Sequence, residues 1–206
     1  MDLVSFKGIV LKHPFTIAES MNDLTGQRYS SGVSVPQDSL SILRSFLAKV
    51  DESLVKEAAA TPLQQFCVEL PTHPDLLKES LRWFDSLPFS PLLPRFLIEC
   101  KTMLGEAVDN VRDHAHEHFS PTTPLAIVII CFPSFLCLQV WDQGRGFDLV
   151  GHLRTKEKWP DSNATRGRGL KILEELSDYL DYVPCLPKGN CLVLIKRYLS
   201  VSDDDL

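Results

Sequence analysis

Glu106-Ala107-Val108-Asp109-Asn110-Val111-Arg112-Asp113-His114 lies within a long stretch of helical spacing, from about 95 to 117. At about 100° per residue, Leu97, Cys100, Leu104, Ala107, Val108, Val111 and Ala115 fall on one apolar stripe. Glu99, Glu106, Asn110, Asp113 and Glu117 cluster on the opposite side. Glu106 and Asn110 are four apart, so their side chains project together. A carboxylate and a carboxamide placed in this way can polarise a hydroxyl and hold a hard cation through oxygen. An acidic helix face is more often simply solvated, so the pair alone does not define a site. His114 follows at the edge of the apolar stripe, where a buried, hydrogen-bonded histidine is expected rather than a metal ligand.

Two glycine-bearing segments follow this helix. Trp141-Asp142-Gln143-Gly144-Arg145-Gly146-Phe147 ends an apolar strand with a carboxylate and two glycines. Asp142 can accept a hydrogen bond from the exocyclic amine of a base, and Gly144 and Gly146 leave room for a flat ring. By itself D-x-G-x-G is also an ordinary strand-to-loop turn. Arg166-Gly167-Arg168-Gly169-Leu170 leads into a helix, whose free N–H groups form an anion site. Between His152 and Lys171 six basic residues stand against two acidic ones. A phosphate-rich ligand would explain that reversal, and a solvated loop would tolerate it. The G-x-x-x-x-G-K-[ST] phosphate loop does not occur.

Around these segments the periodicity predicts an amphipathic helix over 38–59, started by Asp38 or Ser39 and stopped before Pro62. Its exposed apolar stripe must be covered by the rest of the chain or by a second subunit. A strand is expected at 65–70, a helix at 74–86, and a hairpin of 125–132 with 135–142 through Pro133-Ser134. Residues 147–166 read as loop. A helix at 168–178 and strands at 179–185 and 191–198, joined by Lys188-Gly189-Asn190, complete the set. Residues 4–11 and 15–18 look strand-like. The expectation is an α+β, two-layer sandwich, with a mixed sheet carrying helices on one face and an N-terminal α/β extension. Residues 1–60 form that extension, 61–199 the main domain and 200–206 an acidic tail.

The chain has 206 residues, 44% of them hydrophobic and 23% charged, with a formal net charge of −6. That balance argues against broad nucleic-acid binding, which needs a basic stripe. The longest apolar run, 125–132, is far shorter than the roughly 20 residues that span a bilayer, so no membrane association is expected. The opening Met1-Asp2-Leu3-Val4-Ser5 has no basic region followed by an apolar core, so no secretory signal is expected. The six cysteines contain no C-x-x-C pair and sit mostly among apolar neighbours, as in a reducing cytoplasm.

In order and spacing, the three motifs resemble those of the GHKL ATPase superfamily, and within it the anti-sigma-factor serine kinases. The resemblance covers about 66–198. Residues 106–114 look like the family's N-box, 142–147 like its first glycine box and 166–170 like its second. The close, Asp181-Tyr182-Val183 through Gly189-Asn190-Cys191-Leu192-Val193-Leu194-Ile195-Lys196, is also similar. The resemblance implies a Bergerat-type fold that binds ATP and Mg2+. It makes Glu106 the general base, Asn110 the magnesium ligand, Asp142 the acceptor of the adenine amine, and Gly144 and Gly146 the room for the ring. Residues 148–166 become a lid, and Arg166, Gly167, Arg168 and Gly169 hold phosphates. The implied activity is a protein serine kinase acting on an antagonist protein and regulating a sigma factor, in a dimer. The alternatives are an ATP-sensing interaction module without phosphoryl transfer, or the catalytic part of a histidine kinase. Residues 1–60 match nothing in the compact family kinases.

Overall fold

The computed structural model describes residues 5–6, 9–10, 36, 38–89, 92, 94–154, 168–185, 187 and 189–198. Two short strands, β1 (Ser5–Phe6) and β2 (Ile9–Val10), pair with each other. Helices α1 (Ser39–Val50) and α2 (Glu52–Ala58) follow, then β3 (Gln64–Pro71), α3 (Leu76–Asp85) and α4 (Pro94–Asn110). A π-helical turn, Val111–Ala115, extends α4. The remaining elements are β4 (Pro124–Cys131), β5 (Phe135–Asp142), α5 (Leu149–Arg154), α6 (Gly169–Leu176), β6 (Tyr179–Pro184) and β7 (Asn190–Arg197). Residues 15–18, residues 155–166 of the expected lid and the tail 200–206 lie outside the described residues.

The α+β class holds, with two corrections. The five-stranded sheet, in order β3-β4-β5-β7-β6, is antiparallel at every pairing rather than mixed. The helical connection after β5 does run to a parallel strand, β6. The hairpin back from β6, however, inserts β7 between them, antiparallel to both. The helices, moreover, do not lie on one face. α3, α4 and α6 cover one side, over Ile127, Ile129, Leu136, Leu138, Val140, Leu192 and Leu194. α1 and α2 cover the other, with Leu43, Phe46, Leu47 and Leu54 on Val128, Ile130, Phe132, Phe135, Cys137, Val193 and Ile195. Alternate side chains of one strand serve opposite faces. A sheet buried on both faces needs continuous apolar runs, and all eight residues of β5 are buried.

The helix expected over 38–59 is broken at Asp51, whose backbone is extended (φ −156°, ψ 97°). Asp51 Oδ1 accepts from the Ser53 N–H at 2.9 Å, which caps α2. Its Oδ2 accepts from the Tyr179 hydroxyl at 2.8 Å and pairs with Arg197. These bonds hold the Asp51 carboxyl at about 2, below its usual 3.8, with the Ser53 hydroxyl the largest cause and Tyr179 the next. The break thus ties the helical cover to the β6–β7 edge. Farther along the same face, Glu57 accepts from the Ser134 N–H and hydroxyl, both at 2.6 Å. The buried Gln139 donates to the Ser39 carbonyl at 2.9 Å. The stripe predicted to need a cover is therefore seated on the sheet of its own chain.

Candidate functional site

On the α3–α4–α6 face, α4 presents Glu106 and Asn110 on one side, as the four-residue spacing predicts. Neither is on a solvated face. Both are half-buried against the first residue of α6. A Cβ placed on Gly169 would stand 2.9 Å from Glu106 Oε2 and 3.2 Å from Asn110 Oδ1. Glycine there lets the start of a helix, whose first N–H groups have no partner within the helix itself, come down onto the pair. Burial raises the Glu106 carboxyl above its usual value, and the neighbouring Asp109 adds to this. A group that binds its proton more tightly is a stronger base when ionised. The Asn110 Nδ2 atom is buried with no hydrogen-bond partner among the described residues. Lys196 of β7 donates to the carbonyl of Leu176, at the far end of α6, at 2.7 Å and pairs with Glu99 of α4 at 2.8 Å. That fixes α6 along α4. Arg168 is the exposed N-cap residue of α6, while Arg166 and Gly167 lie outside the described residues.

At the end of β5, Asp142 is only 2% exposed and is held on both oxygens. Oδ1 accepts from the Gly144 N–H at 2.8 Å and from Asn190 Nδ2 at 3.2 Å. Oδ2 accepts from the Tyr182 hydroxyl at 2.7 Å. Burial, and the carboxylate beside it, push the Tyr182 phenol up. A carboxylate oxygen has two lone pairs, so Oδ2 keeps one acceptor direction beyond the tyrosine. Asn190 Nδ2 also donates to the Gly144 carbonyl at 2.9 Å, fastening the loop to β7. Gly146 has a φ of +76°, a conformation that favours glycine. A Cβ on Gly144 would stand 2.9 Å from the Ala115 Cβ, so the loop rests directly on the π turn. Phe147, 43% exposed, packs its ring 4.6 Å from that of Tyr182.

The α4 axis therefore carries both groups: Glu106 and Asn110 beneath Gly169, and Ala115 beneath Gly144. Glu106 and Ala115 stand nine positions apart, on the order of 12 Å along the helix. The arrangement offers a buried acceptor for a base at one end. At the other it offers a carboxylate, a carboxamide and a helix start for charged groups.

The π turn overturns one expectation. His114 is exposed, and the buried histidine is His116, 3% exposed. The His116 N–H reaches back five residues to the Val111 carbonyl at 2.8 Å. This wider turn shifts the side chains beyond Asn110 relative to an α-helical count, and π turns are frequent where a helix serves a site. Sequence reasoning also missed Asn190 and Tyr182. Asn190 stands next to a glycine and reads as turn chemistry. Its role follows from the register that sets it opposite Asp142.

A comparison with curated proteins finds no match. Residues 56–196, which contain both groups of the site, match the family described as the histidine kinase-like ATPase domain. No helix among the described residues is long and apolar enough to cross a membrane. ATP binding is the property this family implies, and the motif order, the antiparallel sheet and the matched residues agree: the chain belongs to the histidine kinase-like ATPase family.

Proposed function

We propose that the chain is an ATP-dependent protein serine kinase acting as a switch-type regulator, an anti-sigma factor that phosphorylates an antagonist protein. The carrying observation is the close seat of Glu106 and Asn110 under Gly169. A base for a hydroxyl and an oxygen donor for a cation thereby meet the helix start that attracts phosphate. Asp142 would accept from the adenine amine, Gly144 and Gly146 would admit the ring, and the Gly169 end of α6 would hold phosphate oxygens, with Arg166, Gly167 and Arg168 alongside. Asn110 would hold Mg2+ through its carboxamide oxygen. The ion would supply neutralisation of the phosphate charge. Glu106 would orient the serine hydroxyl and take its proton as the γ-phosphoryl bonds to the serine oxygen and its bond to ADP breaks. Positioning and charge account for most of such a transfer. An antagonist protein, a sigma factor and a second copy of the chain are the partners proposed with this activity.

Transfer of labelled γ-phosphate to the protein recovered with this chain from its native host, in the presence of nucleotide, tests the proposal. A serine-to-alanine acceptor serves as the control. Glu106→Gln keeps the size and most of the hydrogen bonding of the side chain. It should retain ATP binding and lose transfer by about 100- to 10,000-fold. If wild type leaves a partner unmodified while binding it in an ATP-dependent way, the chain is a nucleotide sensor and not a kinase.

A further inference from the structure

Beside the base end lies a side chain that the proposed chemistry does not use. His116 caps the π turn, and both of its ring nitrogens are engaged. Nε2 is 2.9 Å from the backbone nitrogen of Gln143. A peptide N–H can only donate, so Nε2 is the acceptor and carries no proton. Nδ1 is 2.7 Å from Thr72 Oγ1, and the Thr72 hydroxyl is committed to the Thr123 carbonyl at 2.9 Å. The Nδ1 proton must therefore be donated to Thr72 Oγ1. Geometry fixes the ring as the neutral Nδ1–H tautomer, in a relay from the 142–146 loop through His116 to the residues flanking β3 and β4.

We infer that His116 is a positioning residue for the nucleotide: its bare Nε2 anchors the Gln143 amide and with it the loop carrying Asp142 and Gly144. The inference rests on the reading of that loop as the adenine end. A second proton, on Nε2, would point one N–H at another across 2.9 Å. The ring has little room to yield, because it is buried and packs with its centroid 5.3 Å from that of Phe119. The amide would have to move instead, and Gly144 is pressed against Ala115. Among the described residues, Asp142, at the end of β5, is the charged group that acts on the ring. Thr72 after β3, Thr123 before β4 and Phe119 on its own segment are uncharged. Burial holds the His116 ring below the usual histidine value, and Asp142 partly opposes this. Protonation on acidification therefore works against the bound loop, and nucleotide affinity falls with it.

Two measurements test this. Long-range 1H–15N correlation spectra of the wild-type protein at pH 7.5 should show a neutral histidine protonated at Nδ1, absent from His116→Gln. If none of the six histidines shows that tautomer, the inference is overturned without any variant. Calorimetric titration with ATP from pH 7.5 to 5.5 then compares wild type, His116→Gln and His116→Leu; protonation of ATP itself is common to all three. The Gln Oε1 can accept from the Gln143 amide and does not titrate. Below the pH at which the 15N shifts report protonation, wild-type affinity should fall by about tenfold per pH unit relative to His116→Gln. A folded His116→Leu should bind roughly tenfold more weakly than wild type at pH 7.5. Coincident pH profiles for wild type and His116→Gln, or wild-type affinity in His116→Leu, would overturn the inference. Asp142→Asn separates the two levels of argument. If it binds ATP like wild type, the adenine reading itself fails; if it is weakened while His116 variants are silent, only the role of His116 fails.

Discussion

The two faces of the sheet are built for different purposes from the same strands. On the α1–α2 side the contacts are apolar packing closed by paired polar groups: Asp51 with Ser53, Tyr179 and Arg197, Glu57 with Ser134, and Gln139 with the Ser39 carbonyl, although the buried Ser39 hydroxyl has no partner among the described residues. The α3–α4–α6 side is as apolar at its centre. At its rim, though, it keeps a half-buried carboxylate with a raised proton affinity and a buried carboxamide nitrogen without a partner among the described residues. Buried polar groups left incompletely paired cost stability. They are tolerated where a ligand completes them, and on this rim the unpaired Asn110 nitrogen stands beside Glu106 and the start of α6, at the candidate site.

The comparison breaks most directly if the helical cover is removed. From sequence, a chain starting at Thr61 is expected to keep its nucleotide site. The structure changes that expectation. Leu43, Phe46, Leu47 and Leu54 are each at most 4% exposed, and burying each such side chain contributes about 1.5–3 kcal/mol. Together they rival the about 5–15 kcal/mol of net stability of an ordinary domain. The truncated chain should lack a cooperative melting transition and bind no ATP. A sharp transition by calorimetry would show that the two faces are independent.

Gly189→Ala should have the next largest effect. Gly189 has a φ of +101°, and a Cβ there would stand 2.0 Å from the Asp142 carbonyl oxygen. Backbone strain alone costs about 1–3 kcal/mol, and the clash moves Asp142 as well. A lower Tm with weakened ATP binding is expected; wild-type values for both would place the β5–β7 junction outside the site. Gly169→Ala should act in the opposite sense on stability. Its Cβ would meet the flexible end of Glu106 at 2.9 Å, while alanine in a helix gains up to about 1 kcal/mol over glycine. The Tm should hold or rise while phosphoryl transfer falls about 100-fold, as a base displaced by an ångström implies. A parallel loss of stability and activity would mean that Gly169 is a packing residue only.

The smallest effect belongs to the far face. The folded Asp51 carboxyl, at about 2, lies below its unfolded value of 3.8. Its contribution to stability is therefore fully present above about pH 4 and is lost as the pH falls toward 2. Asp51→Asn should lower the Tm slightly at neutral pH, and the difference from wild type should vanish at the acid end. A constant difference across that range would assign the effect to the α2 cap instead of the charge.

Much of this was legible because it is local. Helical spacing is sufficient to put Glu106 beside Asn110, and the apolar runs around Pro133-Ser134 are sufficient for the β4–β5 hairpin. What was not legible depends on a single irregularity or on distant pairing. One π turn transfers the buried place from His114 to His116, and no propensity marks it. The break at Asp51 is held by Tyr179 and Arg197, more than a hundred residues away. α5 lies in a stretch whose basic and polar composition reads as loop, although Leu149 is 3% exposed. Asn190 gains its meaning only through the register that sets it opposite Asp142.

That register also sets the order in which the pocket can come into being. Asp142 ends the third strand of the sheet in chain order, yet two of the donors that hold it, Tyr182 and Asn190, arrive 40 and 48 residues later. β7, the last strand described, must then pair with β5 on one side and β6 on the other. Pairings of such sequence separation form late, after the loop-closure entropy has been overcome. At the proposed site, nucleotide therefore cannot guide the early chain. It can only reward the finished sheet, adding about 2.7 kcal/mol at a hundredfold excess over Kd, so bound ATP reports that the final strand is in place.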